Sequence, residues 1–169
     1  MKTKTSLGWM GICVFVTFII VLFNVNTASA QPGQEKEKSD GHWFKADKDD
    51  IVVDKKSGLM WAAYDNGSDI NWADAKKYCE RYRGGGYSDW RLPKQDELAQ
   101  LYDSKRSYQS KCGSIVHTTK LIEISCSSFW ASETNGNDAA FFQFTNGYRG
   151  WYLQTNEFYG RVLPVRTGK

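Results

Sequence analysis

One stretch, residues 71–103, limits the possible folds more than any other part of the chain, because it joins two helical patterns through a glycine-rich break. The first pattern predicts a helix with one buried face. The side chains of that face are Trp72, Ala75, Cys79 and Tyr82. Asn71 is placed to cap the start of this helix, and Gly84-Gly85-Gly86 predicts its end. A helix of this kind is a scaffold rather than a reaction centre.

The second half of the stretch predicts a short extended segment followed by another helix. Residues 89–92 are limited to an extended piece, because Pro93 disfavours the helical conformation at the residue before it. The second helix is predicted to start at Pro93, with Asp96 and Glu97 in its positively polarised first turn. Its inward side chains are Leu98, Leu101 and Tyr102.

The first thirty residues have the pattern of an export signal. Lys2 and Lys4 precede an uncharged run with an apolar centre, and Ala28-Ser29-Ala30 supplies the small residues typical of a cleavage site. We therefore predict a cleaved signal peptide over residues 1–30 and a secreted or periplasmic product. The alternative is an uncleaved membrane anchor, since the apolar run approaches the ~20 residues that span a bilayer. The membrane is a partner only in that case.

The net charge argues against one class of function. The chain has 22 Lys and Arg against 19 Asp and Glu, a net charge of +3, and removal of the two lysines in the leader leaves +1. A protein that binds nucleic acid through bulk charge would be more basic. We therefore expect no nucleic-acid partner.

The cysteines predict one disulfide. Without residues 1–30 three cysteines remain, and an odd number in an oxidising compartment means one pair and one leftover, or an intermolecular bridge. We predict a bond between Cys112 and Cys126, which closes a loop on irregular polar sequence. Cys79 lies on the buried helix face and is predicted to be an inert thiol.

The remaining segments predict sheets around the helix pair. Residues 31–46 are charged and nearly without aliphatic side chains, so we predict a polar tether there and a folded domain over residues 47–169. Strand patterns are separated by turn signals such as Asn-Gly. They cover residues 51–54, 59–63, 129–132, 139–144, 151–153 and 161–166. Pro164 predicts that the last strand lies at a sheet edge or bulges there. Strands on both sides of a helix pair give an α+β domain.

Three blocks of sequence stand out by their order and spacing. They are Asp54-x-x-Ser57-Gly58-Leu59-Met60-Trp61-Ala62, then Asn71-Trp72-Ala73-Asp74-Ala75 with Tyr78-Cys79, then Gly85-Gly86-Tyr87-Ser88-Asp89-Trp90-Arg91-Leu92-Pro93 with Glu97-Leu98. Together they resemble the DUF1566 family, also called the Lcl C-terminal domain, over about residues 47–166. More distantly, the chain is similar to C-type-lectin-like domains and to sulfatase-modifying-factor relatives of that fold. The resemblance implies a C-type-lectin-like α+β fold, with two helices packed on short irregular antiparallel sheets and with chain ends that lie close together.

The family blocks also supply a predicted structural motif. Its residues are Trp61, Trp72, Trp90, Arg91, Pro93 and Glu97. The tryptophans are expected to pack in the core, and Arg91 is expected to pair with Asp89 or Glu97. Relatives usually carry a hydroxyl residue where this chain has Lys94, so a helix cap worth about 1 kcal/mol is expected to be lost. The late cysteine of many relatives is also missing here, which favours an unpaired Cys79.

The sequence supports neither catalysis nor a metal or cofactor site. His42 and His117 stand outside any metal-spacing or nucleophile motif. A dyad of His117 with a cysteine is the weaker interpretation, because Cys112 is expected to be oxidised. Glu133 and residues 135–138 offer oxygen ligands for calcium, but an ordinary Asn-Gly turn is the preferred interpretation. We therefore predict a protein that is not an enzyme and that needs no cofactor.

An aromatic segment next to a tight turn is the candidate ligand-binding surface. It consists of Tyr148, Arg149, Trp151 and Tyr152. Aromatic side chains beside a cation have the composition of a ligand surface or an interface anchor, although ordinary cross-strand stacking also accounts for them. For an anionic ligand the candidate contacts are Lys105, Arg106, Arg149 and Arg161.

These patterns favour an exported, non-catalytic, lectin-like binding domain of the cell envelope that recognises a glycan or a protein surface. Two alternatives stay open. A structural or assembly subunit would dock on a partner chain through the C-terminal aromatic hairpin, and an enzyme of the sulfatase-modifying type would need a reactive thiol or a metal. The chain lacks the sugar-binding triplet of calcium-dependent lectins. Calcium-dependent recognition is therefore not inherited with the fold.

Overall fold

The structure, a computed structural model, describes residues 38–46, 50–157 and 160–168. Its elements are β1 (Lys38–Asp40), β2 (Trp43–Ala46), β3 (Ile51–Asp54), β4 (Leu59–Ala62), α1 (Trp72–Arg81), α2 (Gln95–Leu101), β5 (Tyr108–Gln109), β6 (Ile115–Val116), β7 (Ser128–Asn135), β8 (Asp138–Gln143), β9 (Arg149–Leu153) and β10 (Val165–Thr167). The predicted signal peptide, residues 1–30, lies outside the described residues, as do residues 47–49, where the domain was predicted to begin.

The strands form three antiparallel sheets. Their orders are β1-β2-β3-β4-β10 in the first, β5-β6 in the second and β7-β8-β9 in the third. Because β10 pairs with β4, the end of the chain rejoins the N-terminal hairpin. The last strand is shorter than predicted, because β10 begins only after Pro164. It lies at the edge of the first sheet, one of the two arrangements that Pro164 predicts. Both helices pack against the third sheet. The predicted α+β fold is confirmed.

The core has two parts, one for each helix. The larger part joins α2, through Leu98 and Leu101, to the first and third sheets. The smaller part joins Ala75 and Cys79 of α1 to Trp130 of β7. The helical spacing that predicted the buried face of α1 therefore reflects packing against the third sheet.

The predicted tether is wrong for residues 38–46, which form β1 and β2. β2 pairs along its length with β3, and its first residue, Trp43, is 5% exposed. The tether was predicted because this segment has almost no aliphatic side chains. Backbone pairing with an existing strand and one buried indole are enough to hold an edge of an antiparallel sheet, whose other face needs no apolar side chains.

The boundaries of both helices differ from the predicted ones. Asn71 caps α1 as expected, with its Oδ1 accepting from the Asp74 amide at 2.9 Å. However, α1 ends at Arg81, and the glycine run forms a separate 3₁₀ turn with Gly85 at φ 61°. α2 begins at Gln95 rather than at Pro93, because the Pro93 carbonyl accepts a hydrogen bond from β7 instead of starting the helix.

Two carboxylates take the place of the side-chain cap that α2 lacks. The Glu97 Oε2 accepts from the Lys94 amide at 2.7 Å. The Glu133 carboxylate, which extends from β7, accepts from the Gln95 amide at 3.1 Å. The expected loss at Lys94 is therefore compensated, since negative charge at a helix N-terminus is favourable.

The cysteines are arranged as predicted. Cys112 and Cys126 form a disulfide, and Cys79 is a free, buried thiol. Burial raises the pKa of Cys79 from 9.0 to about 12. A thiol that stays protonated at neutral pH is a poor nucleophile and a poor metal ligand.

The pKa of Cys79 gives a testable dependence of stability on pH. The thiol ionises near pH 9 in the unfolded chain, whereas the folded chain keeps the proton to about pH 12. Above pH 9 the folded chain binds more protons, so we expect this residue to lower the free energy of unfolding by about 1.4 kcal/mol per pH unit. Urea titrations of the wild type and of Cys79→Ala at several pH values between about 8 and 10.5 measure this slope. If the free energy of unfolding had the same pH slope in both proteins, the raised pKa of Cys79 in the folded chain would be contradicted.

Candidate ligand-binding site

Strand alternation decides which residues of the third sheet form the candidate site. Directly opposite residues of an antiparallel sheet share a face, and successive residues of a strand alternate between faces. Ser128 lies opposite Gln143, and Trp130 lies opposite Phe141. These four side chains therefore share one face. Tyr152 of β9 joins them, with its ring centroid 6.0 Å from that of Phe141.

A pocket of about 220 Å³ opens on this face. The described residues that line it include no acidic or basic side chain. They are Ser127, Ser128, Phe129, Trp130, Phe141, Gln143, Tyr152, Asn156 and Gly160. Trp130 is 2% exposed, and its Nε1 donates to the Ile70 carbonyl at 2.8 Å. The indole nitrogen is thus already satisfied, and Trp130 offers only its ring to a ligand.

Two aromatic rings pack against Phe141 at the pocket. Its centroid lies 5.9 Å from Tyr148 and 6.0 Å from Tyr152. Gly150 lies between the two tyrosines on β9, and a Cβ there would approach both Phe141 and Tyr148 to 2.7 Å. The missing side chain therefore allows the rings to meet. Tyr148 and Tyr152 are 54% and 50% exposed, but of the two it is Tyr152 that lines the pocket.

The ligand surface that we predicted at residues 148–152 is divided between the two faces of the sheet. Tyr148 and Tyr152 lie on the pocket face with Phe141, as their ring contacts show. Arg149 and Trp151 alternate with them on the strand and lie on the other face, where Arg149 pairs with Asp96 of α2. The prediction grouped all four because it did not use the alternation within β9.

The three arginines that we predicted for an anionic ligand are held by carboxylates. Arg161 pairs with Asp69, and Arg106 pairs with Asp103 at 3.0 Å. Lys105 is exposed in the same loop as Arg106. Each of the three arginines, including Arg149, is thus paired with a different aspartate. These contacts do not make one converging anion site.

The residues of the predicted structural motif belong to the scaffold around the helices. Trp61 and Trp90 are 1% and 3% exposed. Trp72 donates its Nε1 to a β7 carbonyl at 2.8 Å. Arg91 donates from both terminal nitrogens to Glu97, at 2.8 and 2.7 Å, so Glu97 rather than Asp89 is its partner. Pro93 is buried beside them.

The residues that the sequence analysis considered for catalysis or metal binding have other contacts. Glu133 is occupied at the start of α2, and the His117 Nδ1 lies 2.9 Å from the Arg106 carbonyl. Across residues 38–46, 50–157 and 160–168, no group of three or more His, Cys, Asp or Glu is placed to hold a metal ion. Over the same ranges, no helix has the length and apolarity needed to cross a bilayer.

Most residues of the pocket were not predicted from the sequence. The residues that it did not propose as ligand contacts include Ser127, Ser128, Phe141, Gln143 and Asn156. One signal was available, since Phe141 and Gln143 are two residues apart on one predicted strand and must share a face. Their opposite partners on β7 were not predictable, because a register shift interrupts the ladder between Trp130 and Thr134.

Comparison with known proteins assigns the chain to a family. No curated protein sequence shows significant similarity to it. The model of the Lcl C-terminal domain matches residues 50–166, well over half of the chain and all of the third sheet. The chain therefore belongs to the family defined by the Lcl C-terminal domain, as its three sequence blocks had indicated.

Proposed function

We propose that this protein is an exported, non-catalytic, lectin-like binding domain of the cell envelope, and that its ligand is a glycan. The observation that carries the proposal is the aromatic pocket on the third sheet, where partly buried Phe141 and half-exposed Tyr152 lie beside hydroxyl and amide side chains. Aromatic rings next to a few hydrogen-bonding groups are the usual lining of a small-molecule site. Sugars fit such a lining, because their rings have an apolar C–H face and a rim of hydroxyls.

The states of the nucleophilic side chains support a binding role over catalysis. The buried Cys79 keeps its proton because its pKa is raised to about 12. Cys112 and Cys126 are joined in a disulfide and are not free thiols. An enzyme of the sulfatase-modifying type would need a reactive thiol, so these contacts favour the non-catalytic alternative.

Two observations support export. The pattern of residues 1–30 is that of a signal peptide, and the Cys112–Cys126 disulfide is of the kind that persists in oxidising compartments. Cell fractionation with mass spectrometry of the N-terminus tests this part of the proposal. We expect a mature chain that begins at Gln31, outside the cytoplasm. A cytoplasmic chain that retains Met1 would contradict it.

A glycan array tests the binding function. We expect the full chain, purified from the compartment to which the cell delivers it, to bind a subset of glycans. Tyr152→Ala is expected to weaken that binding about tenfold, since loss of one stacked ring costs on the order of 1.4 kcal/mol.

Tyr148→Ala is the matched control for this experiment. Tyr148 contacts the same Phe141 ring and is about as exposed as Tyr152, but it does not line the pocket. We expect it to leave glycan binding within about twofold. A chain that binds no glycan, or one whose two variants bind equally well, would contradict the proposal.

The opposite face of β9 favours a second candidate function, docking on a partner chain. β9 is the edge strand of the third sheet. Trp151 and Leu153, which share a face, are 48% and 55% exposed. Exposed apolar side chains at a strand edge are typical of an assembly contact. Light scattering and crosslinking in the envelope test it. A strictly monomeric protein without crosslinked partners would remove this candidate.

A further inference from the structure

We propose that the pocket on the third sheet accepts a single uncharged pyranose ring, and that it discriminates against sugars that carry a carboxylate or a sulfate. This inference rests on the proposed glycan-binding function and names the class of sugar. It follows from the charge of the lining, from the size of the pocket and from the order of its side chains.

The charge of the lining is the first argument. Among the described residues that form the pocket, none carries a formal charge. Arg161 follows Gly160 in sequence, but its guanidinium is held by Asp69 and donates its Nε to the Ser125 Oγ at 3.1 Å. An anionic group in the pocket would lose water without gaining a cation, which is unfavourable. A neutral ring avoids this cost.

The size of the pocket is the second argument. Its volume of about 220 Å³ lies below the roughly 300–1,000 Å³ of pockets that enclose drug-sized ligands. It therefore fits one sugar ring rather than an enclosed oligosaccharide. The remainder of a longer glycan would extend into solvent from a terminal residue.

The order of side chains along the face is the third argument. Phe141 and Gln143 are two residues apart on β8, a separation of roughly 6.6 Å, which is comparable to the width of a sugar ring. Phe141 and Tyr152 supply apolar surface on one side. Ser128, opposite Gln143, supplies a hydroxyl on the other. The amide of Gln143 both donates and accepts, as sugar hydroxyls do.

A second cleft, lined by basic side chains, is the alternative site against which the pocket is compared. It lies between α1 and the start of α2 and is lined by Lys76, Arg91 and Lys94, together with the acidic Glu80. This cleft has the cations that the pocket on the third sheet lacks. The pocket on the third sheet therefore predicts a preference for neutral sugars, and the second cleft predicts a preference for anionic ligands. Variants of each site can distinguish the two.

The test uses polyacrylamide conjugates that differ in one group. One set carries glucose, galactose, mannose or N-acetylglucosamine, and the other carries glucuronate, galacturonate or 6-sulfated galactose. Multivalent display raises the avidity of weak single-ring binding to a measurable level. We expect the full chain to bind at least one neutral conjugate at least tenfold more tightly than its charged counterpart. We also expect that binding to persist in high salt, since an uncharged contact is not screened.

Variants of the two sites show where on the protein the sugar binds. Tyr152→Ala is expected to weaken neutral binding about tenfold, and Tyr152→Phe, which keeps the ring, is expected to retain most of it. Thermal unfolding of each variant shows whether the fold is kept. The double variant Lys76→Ala with Lys94→Ala is expected to leave neutral binding unchanged.

Three outcomes overturn the inference. In the first, only the charged conjugates bind, their binding is sensitive to salt, and the Lys76 and Lys94 double variant loses it. The binding site is then the other cleft, and the proposed glycan-binding function still stands. Neutral binding that survives Tyr152→Ala places the sugar elsewhere on the protein. No binding to any conjugate or to any glycan on the array removes the proposed function together with the inference.

Discussion

Replacement of both bridging cysteines, Cys112→Ser together with Cys126→Ser, is expected to lower the free energy of unfolding by about 3 kcal/mol. The two cysteines are 14 residues apart in sequence, and the chain-entropy model gives this value for a loop of about 15 residues. The enclosed segment has little regular structure, since its one strand, β6, has two residues. It nevertheless buries Val116, Ile122 and Ile124 in the larger core. The disulfide adds a covalent closure to a segment that core contacts and hydrogen bonds to neighbouring segments also hold.

Urea denaturation of the double variant measures this effect, with reduced wild-type protein as the control. Reductant is expected to bring the wild type to the stability of the double variant and to leave the double variant unchanged, because Cys79 is buried and unpaired. A double variant as stable as the oxidised wild type would show that the segment is held by its core contacts alone.

The sequence predicted the positions of helices and strands more successfully than it predicted which distant segments contact each other. Helix spacing, turn chemistry and the proline rule are local, and α1, β8 and the hairpin between β8 and β9 appear close to where these rules placed them. The disulfide was also predictable, because Cys112 and Cys126 flank irregular polar sequence. Each of these predictions depends on residues fewer than about 20 positions apart.

The candidate site depends on contacts between distant segments, which periodicity does not encode. The pocket combines Tyr152 of β9 with β7 and β8, whose register shifts between Trp130 and Thr134. Arg161 is taken up by Asp69, 92 residues away in sequence. Gln95 receives its capping carboxylate from Glu133, 38 residues away. A sequence pattern could nominate aromatic residues for the site, but tertiary pairing decided which of them share a face.

Glu97→Ala is expected to cost about 2–3 kcal/mol of folding stability, far more than the same change at its neighbour Asp96. The Glu97 side chain is 14% exposed and accepts from Arg91 and from the Lys94 amide. Its removal leaves a half-buried guanidinium without its carboxylate and a helix start without its reciprocal bond. The partial exposure of Arg91 keeps the cost below that of a fully buried pair.

Asp96→Ala is the matched control, because both acids lie in the first turn of α2 and both pair with an arginine. The Asp96 side chain is 78% exposed and its pair with Arg149 is on the surface, so a loss of at most about 1 kcal/mol is expected. The helix dipole acts on both residues alike. The difference between the two variants therefore reports the contacts of Glu97 with Arg91 and with the Lys94 amide.

Acid titration adds a second measurement of the same contact. Burial alone would raise the pKa of Glu97, but hydrogen bonds from Arg91 and from the Lys94 amide outweigh it and hold the pKa below its usual value of 4.5. The stabilisation is therefore fully present above about pH 4.5 and is lost as the pH falls through the lowered pKa. Wild-type protein is expected to lose more stability than Glu97→Ala over this range, so that the two converge in acid. Two results would contradict this: pH profiles of stability that run parallel for the wild type and Glu97→Ala, or equal losses of folding stability in Glu97→Ala and Asp96→Ala. Either result would show that Arg91 is held in place by its backbone and not by Glu97.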